Sequence, residues 1–148
     1  EREKVSFDLL VKSVVDRATG IVFEGKLFKK YSKRRVTVGR TNPIRVEMRI
    51  ADPEILFATK FISARKQDIR DIFMLSGEDL NWDLVEKIIL EKCGPELIKK
   101  RSNLILRSIQ SKTYRNSLHG PYGKMPDERF ELCKKRLTYF LRRLEGSD

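Results

Sequence analysis

Residues 52–75 read DPEILFATKFISARKQDIRDIFML and contain two helix starts together with much of the apolar material that a core requires. Asp52 can accept hydrogen bonds from the free amides of a first helical turn, and Pro53 already has the φ of a first helical residue. The pattern predicts a helix that begins at Asp52 and holds Lys60 half buried beside its apolar face. The apolar residues of that face recur at helical spacing, namely Ile55, Leu56, Ala58, Phe61 and Ile62.

A second helix is predicted within the same stretch. Arg70 and Asp71 fall at its polar edge, so basic and acidic groups flank one apolar seam. The residues expected to face inward are Ile69, Ile72, Phe73 and Leu75.

The part of the chain before residue 52 has the composition of β-strands. Residues 5–11 (VSFDLLV) and 20–28 (GIVFEGKLF) are rich in β-branched and aromatic side chains, and they predict an antiparallel pair. Residues 12–17 fit either an extension of the first strand or a short turn. A third short strand is expected at 35–38, followed by a loop at 39–43.

Residues 44–50 give the clearest strand pattern. Ile44, Val46, Met48 and Ile50 alternate with polar residues, as expected for a strand with two different faces. After residue 52 the apolar period is helical throughout. Strands followed by helices predict an α+β fold, in which a small mostly antiparallel sheet precedes a bundle of about five helices.

The later helices have recognisable start and stop signals. Asn81 is expected to cap a helix that stops at Gly94, and Pro95 opens the next, which runs to about Gln110. Residues 111–118 favour a further helical stretch that ends before Pro121. A final helix follows residues 125–126, with one apolar face formed by Phe130, Cys133, Leu137, Phe140, Leu141 and Leu144.

Composition restricts the partners more than it restricts the chemistry. The net charge is +11 and the pI is near 9.8, which favours a polyanionic partner such as nucleic acid or a nucleotide. No apolar run approaches the roughly 20 residues that span a bilayer, and nothing resembles a signal peptide. We therefore expect no membrane association and a cytoplasmic location. Cys93 and Cys133, with a single His119, cannot form a four-ligand zinc site and are expected to be buried thiols.

Several of these residues occur together in a known family. The succession RVEMRI (45–50), DPEILFATK (52–60), Arg65 and RDI (70–72) resembles the C-terminal half of the AbiEii/AbiGii abortive-infection toxins, which are nucleotidyltransferases of the DNA polymerase β-like superfamily. Residues 121–137, PYGKMPDERFELCKKRL, are similar to the tail of archaeal members. The positions that match the family pattern in order are Asp52, Glu54, Leu56, Ala58, Lys60, Arg65, Arg70, Asp71 and Ile72.

The resemblance implies site residues as well as a fold. Lys60, Asp71 and Asp8 are the expected catalytic residues, and Lys60, Arg65 and Arg70 are expected to bind the nucleotide phosphates. Asp8 would occupy the position of the superfamily's third carboxylate and would hold Mg²⁺, which accompanies the nucleoside triphosphate. The alternatives are a solvent-facing Asp8 on an edge strand, a Lys60 that extends from an apolar helix face to water, and an ordinary ion pair at Arg70 and Asp71.

The chain also departs from the family pattern. Such enzymes carry Gly-Ser or Gly-Thr followed by Asp-x-Asp, and the one Gly-Ser-Asp here is at residues 146–148. The first residue is Glu1, so we expect residues 1–50 to be the remnant of a nucleotidyltransferase sheet lobe and residues 51–148 to be the helical lobe. A cleft at their junction would bring together Asp8, the basic segment described next and Lys60.

A basic segment with interleaved aromatic residues lies at residues 26–35. It is a candidate RNA-binding segment, because cations contact the phosphate backbone and an aromatic ring stacks on a base. The residues predicted to bind RNA are Lys29, Lys30, Tyr31, Lys33, Arg34 and Arg35. A charge run of this kind also fits a solvated surface. The basic residues of the later helices fit a solvated surface, and we assign His119 no role.

These residues are consistent with three functions. The first is a nucleotidyltransferase that moves a nucleoside monophosphate from a nucleoside triphosphate to RNA or protein, as the toxin of a toxin-antitoxin pair. The second is a non-catalytic RNA-binding module, for which tRNA or another RNA is the expected partner. The third is an interaction domain whose helices bind a partner protein such as a cognate antitoxin.

Overall fold

The computed structural model describes residues 12–39, 41 and 43–146. The chain divides into two compact units, with the boundary between Ala51 and Asp52. The described strands and one short helix belong to the first unit and the other described helices to the second, which confirms the predicted α+β fold class. The strand expected at residues 5–11, and Asp8 within it, lie outside the described residues.

The first unit begins with a short hairpin. Strand β1 (Ser13–Val15) pairs antiparallel with β2 (Val22–Glu24). The turn between them is closed by Asp16, whose carboxylate accepts hydrogen bonds from the amide and hydroxyl of Thr19 at 2.9 and 2.7 Å. Gly20 has a φ of +75°, a conformation that suits glycine. Of the two alternatives for residues 12–17, the structure has a strand to Val15 followed by the turn.

The strand predicted for residues 20–28 is wrong beyond Glu24, because Gly25–Lys30 forms helix α1. Phe23 and Phe28 are both buried, and their ring centroids lie 6.4 Å apart. Residues five positions apart point to opposite faces of a strand, whereas a helical turn can bring the two rings together. Burial of both aromatic rings therefore favours the helix over the local β-propensity.

Strands β3 (Ser32–Val38) and β4 (Arg45–Ala51) form a second antiparallel ribbon. The strand predicted at 44–50 is confirmed within one residue, and β3 begins three residues before the expected start. The described residues thus contain two separate two-stranded sheets rather than one sheet of three or four strands. The β3–β4 ribbon is mostly exposed on both faces.

The second unit opens with α2 (Pro53–Ser63) and α3 (Lys66–Leu75), so both predicted helices are present. Asp52 is the N-cap residue, but its carboxylate accepts no hydrogen bond from the first-turn amides, contrary to the expectation. Ala64 ends α2 in the left-handed conformation (φ 47°), and its amide donates to the Lys60 carbonyl at 2.8 Å. This tight connection brings α3 back along α2.

Four further helices complete the described part of this unit: α4 (Trp82–Lys92), α5 (Pro95–Gln110), α6 (Tyr114–Tyr122) and α7 (Asp127–Glu145). The predicted cap of α4 is confirmed, because the side-chain oxygen of Asn81 accepts from the Leu84 amide at 3.1 Å. The prediction for α6 is wrong at both ends, since the helix starts at Tyr114 and continues through Pro121. With α2 and α3 the described residues contain six helices here, one more than expected.

The second unit has its own aromatic core. The rings of Phe57, Trp82 and Phe140 contact one another with centroids 4.7 to 5.5 Å apart. Cys93 and Cys133 are buried free thiols, as predicted, and burial raises the pKa of Cys93 to about 11. Among the described residues, no helix combines the length and the apolar character needed to cross a membrane.

Candidate functional site

Lys60 on α2 and Asp71 on α3 form an ion pair that joins the two helices. The Lys60 ammonium donates to the Asp71 carboxylate, and its Nζ lies 3.6 Å from Oδ1 of Asp68. The Lys60 side chain is 29% exposed, and those of Asp68 and Asp71 are 14% and 18% exposed. The prediction that Lys60 is half buried is therefore confirmed. Its cation is held at the rim of the helical core instead of extending freely into solvent.

Asp71 is the centre of this arrangement. Its Oδ1 accepts a hydrogen bond from the Tyr122 hydroxyl at the end of α6, and another from Nε2 of Gln67 at 3.2 Å. Burial raises the pKa of Tyr122, and the hydrogen bond to Asp71 and the charge of that carboxylate raise it further. We define the Lys60 cluster as Lys60, Gln67, Asp68, Arg70, Asp71 and Tyr122.

Arg70 links α3 to α6 through the carbonyl of Ser117, which lies four residues before Pro121 in α6. Its Nη1 donates to the Ser117 carbonyl at 3.1 Å, and its Nη2 donates to Oε1 of Gln67. Pro121 has no amide proton, so it cannot make the helical hydrogen bond to the carbonyl four residues earlier, which is that of Ser117. The guanidinium satisfies this acceptor, while Arg70 Nε is buried without a hydrogen-bond partner among the described residues.

Arg65 is placed at the start of α3, and its side chain is exposed. Its amide donates to Oδ2 of Asp68 at 3.1 Å, so Asp68 interacts with both the helix N-terminus and the Lys60 cation. The structure thus brings together three of the predicted residues, Lys60, Arg70 and Asp71, and places Arg65 beside them through its backbone. Asp8 lies outside the described residues, so the cleft that it is expected to help form stays a prediction.

Sequence reasoning missed three members of the cluster. Gln67 and Asp68 precede Asp71 by four and three residues, a spacing that places all three on one helix face and could have indicated their contact. Tyr122 is 51 residues from Asp71, and no local pattern signals that contact. The motif of residues 60–71 is therefore part of a larger hydrogen-bonded group that includes α6.

The carboxylates of the Lys60 cluster do not fit a magnesium site. Mg²⁺ requires oxygen ligands around the ion, whereas Asp68 and Asp71 both face the Lys60 ammonium. Within the described residues no group of three or more His, Cys, Asp or Glu side chains is arranged to hold a metal. The expectation of Mg²⁺ thus depends on Asp8 and stays a prediction.

The predicted RNA-binding residues are divided between α1 and β3. Lys29 and Lys30 end the helix, Tyr31 follows it, and Lys30 Nζ lies 5.0 Å from the centroid of the Tyr31 ring. The β3 members are Lys33, Arg34 and Arg35, all exposed. Nη1 of Arg34 donates to Glu47 on β4 at 3.1 Å, a contact of two exposed side chains that adds little stability.

Strand β4 adds two arginines that the sequence analysis did not include. Arg49 donates to the carbonyls of Lys29 and Ser32 at 3.2 and 3.3 Å, so it ties the end of α1 to the start of β3. Arg45 is exposed opposite Val38. Residues 26–51 hold nine Lys and Arg against the single acid Glu47, a net charge of +8 out of the total of +11. The positive charge is therefore concentrated in residues 26–51.

Two surface depressions lie elsewhere in the second unit. One, of about 470 Å³, is an open depression lined by residues of α4, including Asp83, Glu86 and Leu90. A smaller one, of about 80 Å³, lies beside Trp82 and Tyr139. Neither is lined by a residue of the Lys60 cluster. Comparison of the chain with protein-family models, curated proteins and solved structures found no match.

Proposed function

We propose that this chain is the C-terminal part of a nucleotidyltransferase of the abortive-infection toxin type, and that its Lys60 cluster contacts the phosphates of a nucleoside triphosphate. The observation that carries the proposal is the contact between Lys60 and Asp71 across two helices, with Arg70 in the same cluster. These are the residues on which the resemblance depends. Arg70 and Asp71 follow Lys60 by ten and eleven residues, and residues that form one site are expected to lie close together despite such a separation.

The geometry of Lys60 suits a phosphate contact. A lysine ammonium carries three donors, and the hydrogen bond to Asp71 uses one of them. The Lys60 side chain is 29% exposed, so its ammonium is accessible to a ligand. Its position is fixed by Asp71, which Tyr122 and Gln67 also bind, so the cation is preorganised. A preorganised charge loses less conformational entropy on binding than a free lysine does.

Charge supports the same proposal. The Lys60 cluster together with Arg65 contains three cations and two carboxylates, a net charge of +1. A charge-assisted hydrogen bond to a phosphate oxygen contributes about 1.5 to 3 kcal/mol. The acceptor of the transferred nucleotide is a hydroxyl group of RNA or protein, and the proposed location is the cytoplasm.

The same contacts also stabilise the fold, so the test must separate ligand binding from stability. Lys60→Met keeps the apolar stem and removes the cation. Lys60→Met/Asp71→Asn removes the uncompensated carboxylate as well, which is expected to restore part of the lost stability. Lys66→Met is the matched control, because Lys66 is an exposed lysine at the start of α3 outside the cluster.

We expect calorimetric titration with nucleoside triphosphate and Mg²⁺ to give saturable binding to the unaltered chain. Affinity should fall about tenfold to hundredfold in both variants that lack Lys60. Lys66→Met should retain it. A change below about threefold in Lys60→Met/Asp71→Asn, or no triphosphate binding by the unaltered chain, would show that the cluster is only structural.

A further inference from the structure

The β3–β4 ribbon combines a basic row and an apolar row on one face. Facing residues of an antiparallel pair project to the same side, so the register places Lys33 opposite Ile50, Arg35 opposite Met48 and Thr37 opposite Val46. Strand β3 contributes two cations and a hydroxyl to this face, and β4 contributes three apolar side chains. We call it the paired face.

Two apolar side chains of this face are exposed, at its two ends. Val46 and Ile50 are 44% and 46% exposed, and Ile44 just before β4 is 60% exposed. A two-stranded ribbon on its own is marginally stable in water, and exposed apolar groups grouped together mark a surface that binds something. The high positive charge of residues 26–51 favours an anionic binding partner.

We propose that the paired face binds single-stranded RNA, with the phosphates along β3 and the ribose and base edges against the apolar row of β4. Residues two apart on a strand are separated by about 6.8 Å, which is comparable to the distance between successive phosphates of an extended strand. Lys33 and Arg35 therefore lie in register with neighbouring phosphates. This proposal goes beyond nucleotide transfer and holds whether or not the chain is an enzyme.

The hydroxyl residue of the β3 row distinguishes RNA from DNA in this proposal. Thr37 is exposed and follows Lys33 and Arg35 on the same face, so in this register its hydroxyl lies beside the next phosphate and faces the sugar attached to it. A 2′-hydroxyl both donates and accepts hydrogen bonds, and it is the group by which proteins recognise RNA at a given position. Duplex RNA is a poorer fit, because its paired and stacked bases cannot lie against the apolar row of β4.

The test measures binding of the full chain to a labelled single-stranded RNA oligonucleotide over a series of salt concentrations. Lys33→Gln/Arg35→Gln removes two charges from the paired face. Lys99→Gln/Lys100→Gln removes two exposed charges from α5 and is the matched control for net charge. Circular dichroism of each variant checks that the fold is retained.

We expect Lys33→Gln/Arg35→Gln to bind the RNA about tenfold more weakly than the unaltered chain. The slope of log affinity against log salt concentration should be shallower by about 1.4, because each phosphate contact with a single strand contributes about 0.7 to that slope. The α5 variant should match the unaltered chain. Equal losses in the two variants would show that net charge alone attracts RNA and would overturn the proposal.

Four competing ligands and one further variant address the alternatives. The unaltered chain should prefer single-stranded RNA to duplex RNA, duplex DNA, single-stranded DNA of the same sequence and polyglutamate. Thr37→Val, which keeps the β-branched shape, should reduce the preference for RNA over DNA by about threefold to tenfold. Equal binding of polyglutamate would indicate that the paired face binds an acidic protein. Equal or tighter binding of a duplex would indicate that it binds a groove of double-stranded nucleic acid. Either result contradicts the proposal.

Discussion

At the scale of single residues, Asp71 determines how the Lys60 cluster is arranged. One carboxylate accepts from a lysine, an amide and a phenol that come from α2, α3 and α6. Hydrogen bonds to a partly buried charged group are stronger than those between neutral groups. Substitutions here should therefore be coupled, and their free energies of unfolding should not add.

Lys60→Met should lower the free energy of unfolding by about 1 to 3 kcal/mol, because Asp71 then keeps its charge without its cationic partner. Lys60→Met/Asp71→Asn should recover at least about 1 kcal/mol of that loss. Urea unfolding of the four proteins in this double-mutant cycle measures the coupling. Additive effects of the two substitutions would contradict the ion pair.

Tyr122 should make stability depend on alkaline pH. Its pKa is raised in the folded protein by burial and by Asp71, so the unfolded chain loses the phenolic proton at lower pH than the folded chain does. Stability is then fully present below the unfolded pKa of about 10 and falls as the pH rises through and above that value. Tyr122→Phe should cost about 1.5 kcal/mol at neutral pH and should reduce the alkaline loss.

Urea unfolding of both proteins at several pH values between neutral and alkaline measures this difference. Tyr114 also has a pKa raised, first of all by burial, so some alkaline dependence should persist in the variant. An unchanged pH profile in Tyr122→Phe would contradict the contact with Asp71.

At the scale of helices and strands, the close approach between the end of α3 and α7 depends on a glycine. A Cβ at Gly77 would lie 2.7 Å from Sγ of the buried Cys133. The hydroxyl oxygen of the neighbouring Ser76 lies 3.0 Å from the carbonyl oxygen of Cys133. The two helices are therefore joined where the chain leaves α3.

Gly77→Ala should destabilise the protein by about 1 to 3 kcal/mol through overpacking. In the background of Cys133→Ala the sulfur is gone, and the same substitution should be neutral or stabilising, because alanine restricts the unfolded chain. Chemical denaturation of the unaltered chain, the two single variants and the double variant measures whether the effect of Gly77→Ala on the free energy of unfolding changes sign. Equal costs in the two backgrounds would contradict the contact.

The elements also show what the sequence can and cannot predict. The strand at residues 44–50, the Asn81 cap and the helices from Asp52 and Pro95 follow local rules of period and capping, and the structure has them. Helix α1 was missed because contact between Phe23 and Phe28 outweighs local β-propensity. The extension of α6 through Pro121 was missed because Arg70, which is distant in sequence, satisfies the Ser117 carbonyl.

The candidate site divides in the same way. The spacing within residues 60–71 and the resemblance single out Lys60, Arg70 and Asp71. Tyr122 enters through a tertiary contact that no sequence period encodes. The pairing of Lys33, Arg35 and Thr37 with an apolar row depends on strand register, which is fixed only when both strands and their turn are known.

At the scale of the whole molecule, the two units differ in what stabilises them. Among the described residues, the buried apolar side chains of the first unit are Phe23 and Phe28, and the others lie between residues 55 and 144. The second unit therefore has a core of its own. A fragment of residues 52–148 should give a helical circular dichroism spectrum and unfold cooperatively on heating. A β-rich or unfolded spectrum would contradict this division.

The measurement that tests the proposed function most directly is thermal stabilisation of the full chain by nucleoside triphosphate. A ligand at about one hundred times its dissociation constant stabilises the folded state by about 2.7 kcal/mol. We predict that the triphosphate raises the melting temperature of the unaltered chain and of Lys33→Gln/Arg35→Gln equally, and raises that of Lys60→Met/Asp71→Asn by about half as much or less at the same concentration, because a tenfold to hundredfold weaker ligand stabilises by only about 0.4 to 1.4 kcal/mol. An equal rise in the Lys60→Met/Asp71→Asn variant, or no rise in the unaltered chain, would contradict the assignment of the Lys60 cluster to nucleotide binding.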